Sequence, residues 1–132
     1  MEAYKVVAYR NNKMCRVSCG APAQNTKYEL HYKKDEITEE IPGSLGIFCF
    51  ATYTQAFMFL KKTFYIHEEI NDYKIIKVKG INLKNDCLPH IIPSNIEKFY
   101  TNGKESYYYF HNKCGESFPL GTIRFEKVLC LE

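Results

Sequence analysis

The sequence predicts an α+β domain: one curved, mainly antiparallel sheet of six or seven strands with one principal helix packed across it. Three observations predict it. Short runs rich in β-branched and aromatic residues alternate with Gly, Pro and Asn turn signals. One segment, residues 53–62, carries a helical period. No repeat, low-complexity tract or linker divides the 132 residues, a length that buries roughly two-thirds of its unfolded surface, so residues 1–132 are expected to form a single globular domain.

Residues 3–10 are β-formers that stop at Asn11-Asn12-Lys13, and residues 14–18 resume the extended pattern, so the two read as a hairpin. Residues 20–25 read as a loop. Residues 27–33 then alternate, with Tyr28, Leu30 and Tyr32 on one face against Glu29, His31 and Lys33, the pattern of a half-buried strand. The charged stretch 34–43 ends in Pro-Gly and reads as a surface excursion. Ile47 to Ala51 is a nearly continuous apolar run of strand length, expected to be covered on both faces.

The period then changes. Tyr53, Ala56, Phe57, Leu60 and Phe64 fall on one helical stripe, and Thr54, Gln55, Lys61 and Lys62 take the other side. Thr52 and Gln55 have capping-box spacing: the hydroxyl accepts from a first-turn amide and the glutamine answers the cap N–H. Residues 73–80 form another strand, ended by Gly80; residues 94–102 read as a short capped helix and residues 106–110 have strand composition. The final strand, 122–131, changes parity, because Ile123 and Phe125 alternate on one phase and Val128 and Cys130 on the other. A β-bulge near Glu126-Lys127 would keep one buried face. Phe48, Phe50, Phe57, Leu60, Ile76, Val78, Ile123 and Phe125 are therefore expected to meet in one core between helix and sheet.

Eighteen basic and fifteen acidic side chains give a formal net charge of +3, too small to argue for a nucleic-acid partner. Residues 1–5 carry neither a basic leader nor an apolar one, and no apolar run reaches bilayer length, so no membrane association and a cytoplasmic location are expected. In that compartment the six cysteines are expected to be free thiols, with Cys49 and Cys130 in the core.

Tyr4-Lys5-Val6-Val7 near the start, residues 48–52 with Ala56 and Phe59, and Pro119-Leu120-Gly121-Thr122 before a last strand through Val128 resemble a known type. The chain is similar over most of its length to a family of small, uncharacterised single-domain proteins of large DNA viruses, phages and some bacteria. That resemblance implies a shared fold and a host cytoplasm or virion as the setting, and it names no catalytic residue. A fainter resemblance is to the ADP-ribosyltransferase-like fold, which would use NAD; Arg10, Thr52 and Glu126 stand at loosely comparable positions, without the Ser-Thr-Ser pattern of that fold.

Cys87 and His90, then His111 and Cys114, form two mirrored pairs at three-residue spacing, a donor set that tetrahedral zinc accepts. Unrelated loop positions explain them more simply, and no cofactor is expected. Cys15 and Cys19 lack CxxC spacing. Lysines 33, 34, 61, 62, 74, 77, 79 and 84, interleaved with Tyr32 and Tyr73, are the residues a single-stranded nucleic-acid surface would use. Their acidic neighbours Glu29, Glu68, Glu69 and Asp72 favour plain solvation instead. Gly43 to Gly46 precedes a strand and lacks the phosphate-loop lysine.

Eleven tyrosines exceed what one core encloses, and a large rigid ring with a polar tip suits an interface. Tyr107, Tyr108 and Tyr109 are consecutive, so on a strand they point to both sides; with Tyr100 they form the candidate interaction surface. The sequence thus points to a non-enzymatic interaction protein with another protein as partner, ahead of an NAD-using enzyme or a single-stranded nucleic-acid binder. All six cysteines are expected to titrate with a thiol reagent in the unfolded, unreduced protein, and fewer than six would refute the free-thiol expectation.

Overall fold

The computed structural model describes residues 1–10, 13–18, 21–22, 29–64, 73–85 and 121–132. Along the chain come β1 (Glu2–Arg10), β2 (Lys13–Ser18), β3 (Ala21–Pro22), β4 (Ile37–Glu39), β5 (Ile47–Phe50), α1 (Tyr53–Phe64), β6 (Tyr73–Leu83) and β7 (Thr122–Cys130). The ladders are antiparallel, and with one helix against them the described residues have the α+β class that the sequence predicts. The expected helix at 94–102 and strand at 106–110 lie outside the described residues.

Four strands close on themselves. β1 meets β5 at Tyr4↔Phe50, and β5 meets β7 from Ile47↔Phe125 to Phe50↔Thr122. β7 then meets β6 from Phe125↔Leu83 to Cys130↔Val78, and β6 returns to β1 from Ala8↔Tyr73 to Glu2↔Lys79. The result is a narrow barrel. β4 extends it from the second half of β7, and the β2–β3 hairpin from the second half of β1.

Closure gives the sheet an inside and an outside, and β1 serves both because its side chains alternate. Ala3 and Val7 point into the bore, where they pack with Ile47, Cys49, Ile76, Val78, Phe125, Val128, Cys130 and Tyr32. Val6 and Ala8 point outward, where with Phe50 they receive Ala56 and Phe59 of α1. β5, short and buried at all four positions, has the two-sided cover its apolar run predicts.

One core was expected between helix and sheet; the described residues form two, one in the bore and one under α1. Phe57 belongs to neither and is 46% exposed, because α1 turns Ala56 and Phe59 down onto β1 with Leu60 packed partly against them. The Phe50 and Phe59 rings sit 5.2 Å apart and fix that rotation. Residues 29–33 keep the predicted alternation in burial, Tyr32 buried and His31 and Lys33 exposed, yet form only an isolated bridge at His31 rather than a strand. Thr38 Oγ1 donates to the His31 carbonyl at 2.8 Å, so the expected surface excursion contains β4 instead.

The parity change in β7 is real: Ile123 and Phe125 on one phase, Val128 and Cys130 on the other, all pack with the bore. The β6–β7 register is the same on either side, Leu83↔Phe125 and Ile81↔Lys127, while Asn82 adopts φ 57. The irregularity therefore involves both strands, not an extra residue in β7 alone. Gly80 does not end β6, which runs on to Leu83. It is glycine because a Cβ there would overlap the Phe125 ring inside the bore.

Gly80→Ala should accordingly lower the unfolding free energy by about 1–3 kcal/mol through overpacking. Chemical denaturation checks this, and an unchanged midpoint would mean that Phe125 does not fill the bore at Gly80.

Candidate interaction surface

The position of α1 is set at its first turn. Thr52 Oγ1 accepts a hydrogen bond from the Gln55 amide at 3.2 Å, the first half of the predicted capping box. The Gln55 side chain does not close the box; it lies against Gly121, where a Cβ would collide with its amide. Gly121 has φ +84 and its carbonyl accepts the Ala51 N–H at 3.0 Å, so the helix start is fastened to the start of β7.

With α1 fastened there and Ala56 and Phe59 facing down, Tyr53 and Phe57 lie along one flank and Met58 points away from the sheet. They are 54%, 46% and 59% exposed. The rings are ordered against one another. Tyr4, on the outward face of β1, meets Tyr53 edge-on at 5.8 Å and 86°, and Tyr53 stacks on Phe57 at 6.4 Å and 16°. Exposed Lys61 stands one helical turn beyond Phe57, and α1 contains no acidic residue.

At the other end, Lys77 is the cross-strand partner of Tyr4 and its Nζ lies 3.1 Å from Glu2 Oε1. The hydrogen bond and charge of Glu2, then Tyr4, raise the Lys77 pKa above its usual value, so it is a cation at neutral pH. A row therefore runs Lys77, Tyr4, Tyr53, Phe57, Lys61: three rings with an ammonium at each end. Such a row can take apolar or aromatic groups along its length and negative charge at its ends.

The buried polar groups are of a different kind. Lys5 is buried in the bore, donates from Nζ to the Phe48 carbonyl at 2.6 Å and lies 5.8 Å from the centre of the Tyr32 ring. Arg124, also buried, donates from Nη1 to the Leu45 carbonyl at 2.9 Å. These bonds tie side chains to backbone and hold strands and loop together. Cys49 and Cys130 are buried free thiols. Burial pushes the Cys130 pKa up, against a smaller downward pull from the Glu132 carbonyl, so its sulfur is a thiol and not a thiolate nucleophile at neutral pH.

Tyr100, Tyr107, Tyr108 and Tyr109, and likewise Cys87, His90, His111 and Cys114, lie outside the described residues. Among the described residues there is no group of three His, Cys, Asp or Glu that could hold a metal. Arg10, Thr52 and Glu126 are placed on different elements. Thr52 caps α1, and Glu126, on β7, accepts from Asn82 Nδ2 at 3.2 Å. Arg10 ends β1 opposite Lys13, six strand residues or about 20 Å from the level of Tyr4 and Phe50. The exposed lysines 33, 34, 61, 74 and 79 are spread over a turn, the helix and β6.

Sequence reasoning placed Tyr53 on the apolar stripe of the helix and Phe57 in the core, and so missed the aromatic row. The available signal was Phe57-Met58-Phe59-Leu60, four consecutive apolar residues that point all round a helix lying on only one sheet face. No family model, curated protein or solved structure matches this chain. Among the described residues no helix is long and apolar enough to cross a membrane.

Cys49 and Cys130 should resist alkylation in the folded protein at neutral pH and react once it is unfolded, as read by mass spectrometry. Rapid native labelling of either would contradict their burial. Because the folded pKa of Cys130 lies above the unfolded one, its contribution to stability is complete below the ordinary thiol pKa of 9.0 and is lost as pH rises through the folded value.

Proposed function

We propose that this protein is a non-enzymatic interaction protein, an accessory or structural component of a virus or phage, acting through a protein surface in the host cytoplasm or the virion. The observation that supports this reading best is the mutually packed Tyr4–Tyr53–Phe57 row, with Tyr53 and Phe57 exposed on part-buried Tyr4 and exposed Met58 beside them. Large exposed apolar side chains are common singly, but contiguous ones held in fixed geometry are what an interface uses to bury area at low entropic cost. The consecutive tyrosines 107–109 and Tyr100 belong to the same reading as a second candidate surface. The enzyme alternative needs Arg10, Thr52 and Glu126 to converge, and their three elements give it no support.

The test is recovery of the protein from its native setting with its partners, using wild type, Tyr53→Ser/Phe57→Ser and Tyr107→Ser/Tyr109→Ser, each checked for native circular dichroism. A stable protein partner depleted about tenfold or more in one of the two variants is the expected outcome. The pure protein should neither bind nor turn over NAD; turnover abolished by Arg10→Ala would end the interaction reading.

A further inference from the structure

The order of groups in the row is itself informative. Lys77 and Lys61 are not incidental neighbours of the rings: Lys77 is paired with Tyr4 across β1 and β6, and Lys61 follows Phe57 by one helical turn. Apolar contact alone would need no charge at either end, and solvation alone would not need the three rings to be packed in series. Among the described residues the row has one ion pair, Glu2 on Lys77, with Glu132 a weaker and more distant charge. That pair is open to water, with side chains 38% and 60% exposed, so an incoming carboxylate can exchange with it. The helix itself adds no negative charge.

On the interaction reading above, we propose that the Lys77–Tyr4–Tyr53–Phe57–Lys61 row docks a short acidic peptide segment of a partner protein. Its aromatic or aliphatic side chains cover Tyr53 and Phe57 while its Asp or Glu residues meet the two lysines. Charge complementarity selects this occupant. Two ammonium groups bracketing an apolar row favour acids on either side of an apolar centre and repel a basic helix of the same hydrophobicity. Met58, an adaptable apolar side chain at the edge of the row, extends the contact to residues that do not stack, which favours a peptide over a run of nucleobases.

The test is selection from a random peptide library displayed on phage, against immobilised wild type, Tyr53→Ser/Phe57→Ser and Lys61→Glu. Wild type should enrich peptides with Asp or Glu flanking Phe, Trp or Leu. Synthesised peptides from that pool should bind about tenfold more weakly to the double serine variant and weaken with added salt. Lys61→Glu, an exposed change that leaves the packing alone, should shift the selected composition toward Lys and Arg. Enrichment equal on wild type and double variant, or a composition indifferent to the charge at position 61, overturns the proposal. So does a fluorescent single-stranded oligothymidylate that binds wild type and is lost in the same variants, since that outcome assigns the row to nucleic acid. A native partner lost only with Tyr107→Ser/Tyr109→Ser would leave the interaction reading standing and remove this site from it.

Discussion

The girth of a four-stranded barrel is the constraint on which the rest of the structure depends. Barrel diameter grows with strand number, and eight strands are needed for an interior that side chains fill comfortably, so four strands leave very little room. The bore meets that limit with small residues, Ala3, Cys49, Gly80 and Cys130, set around the few large ones, Phe125 and Tyr32. Lys5 fits for a related reason: its stem is thin, and its ammonium is not left bare, because it donates to the Phe48 carbonyl and faces the Tyr32 ring. Taking an ammonium out of water is costly and a carbonyl and a ring offset only part of that cost, so buried Lys5 is better understood as fixing an arrangement than as adding stability.

What it fixes is register. A slip of one residue in β1 would turn Tyr4 and Val6 inward and send Lys5 to the helix face. The bore that accepts Ala3 and Val7 would not accept a tyrosine ring, and Lys5 would lose its carbonyl on β5. The two faces of β1 thus specify one another, and the position of α1 follows. Val6, Ala8 and Phe50 offer a shallow outer surface, and only Ala56 and Phe59, with part of Leu60, can lie down on it.

Local features were legible in the sequence because their signals are local. The run Ile47 to Ala51 entering a helix at Thr52, the inward turn of Tyr32 and the parity change after Phe125 all follow from periods of two and 3.6 within a few residues. Closure was not legible, since the β1–β6 and β6–β7 ladders join segments some seventy and fifty residues apart through backbone bonds that carry no side-chain signature. Gly80 read as a strand end for the same reason: its cause is the Phe125 ring on another strand. The helix face was misread because two stripes compete. Tyr53, Ala56, Phe57 and Leu60 are as apolar as Ala56, Phe59 and Leu60, and the choice between them was made by Phe50 and by the Gln55–Gly121 contact. The candidate surface was hidden by that same misreading.

These constraints bear directly on the exposed rings. Tyr53 and Phe57 cannot be drawn into the bore, whose space is taken, and rotating α1 to bury them would lift Phe59 from Phe50 and break the fastening at Gly121. Serine or lysine at 53 and 57 would keep every buried core residue in place, lose only the edge contact on Tyr4 and be better solvated, so folding alone gives little reason for aromatic residues there. Side chains that raise the exposed apolar area and are nonetheless held edge-on and stacked in a row are what the proposed interaction surface would account for. On that proposal the lysine at each end narrows what a partner would present, because a complementary partner must satisfy rings and charges together.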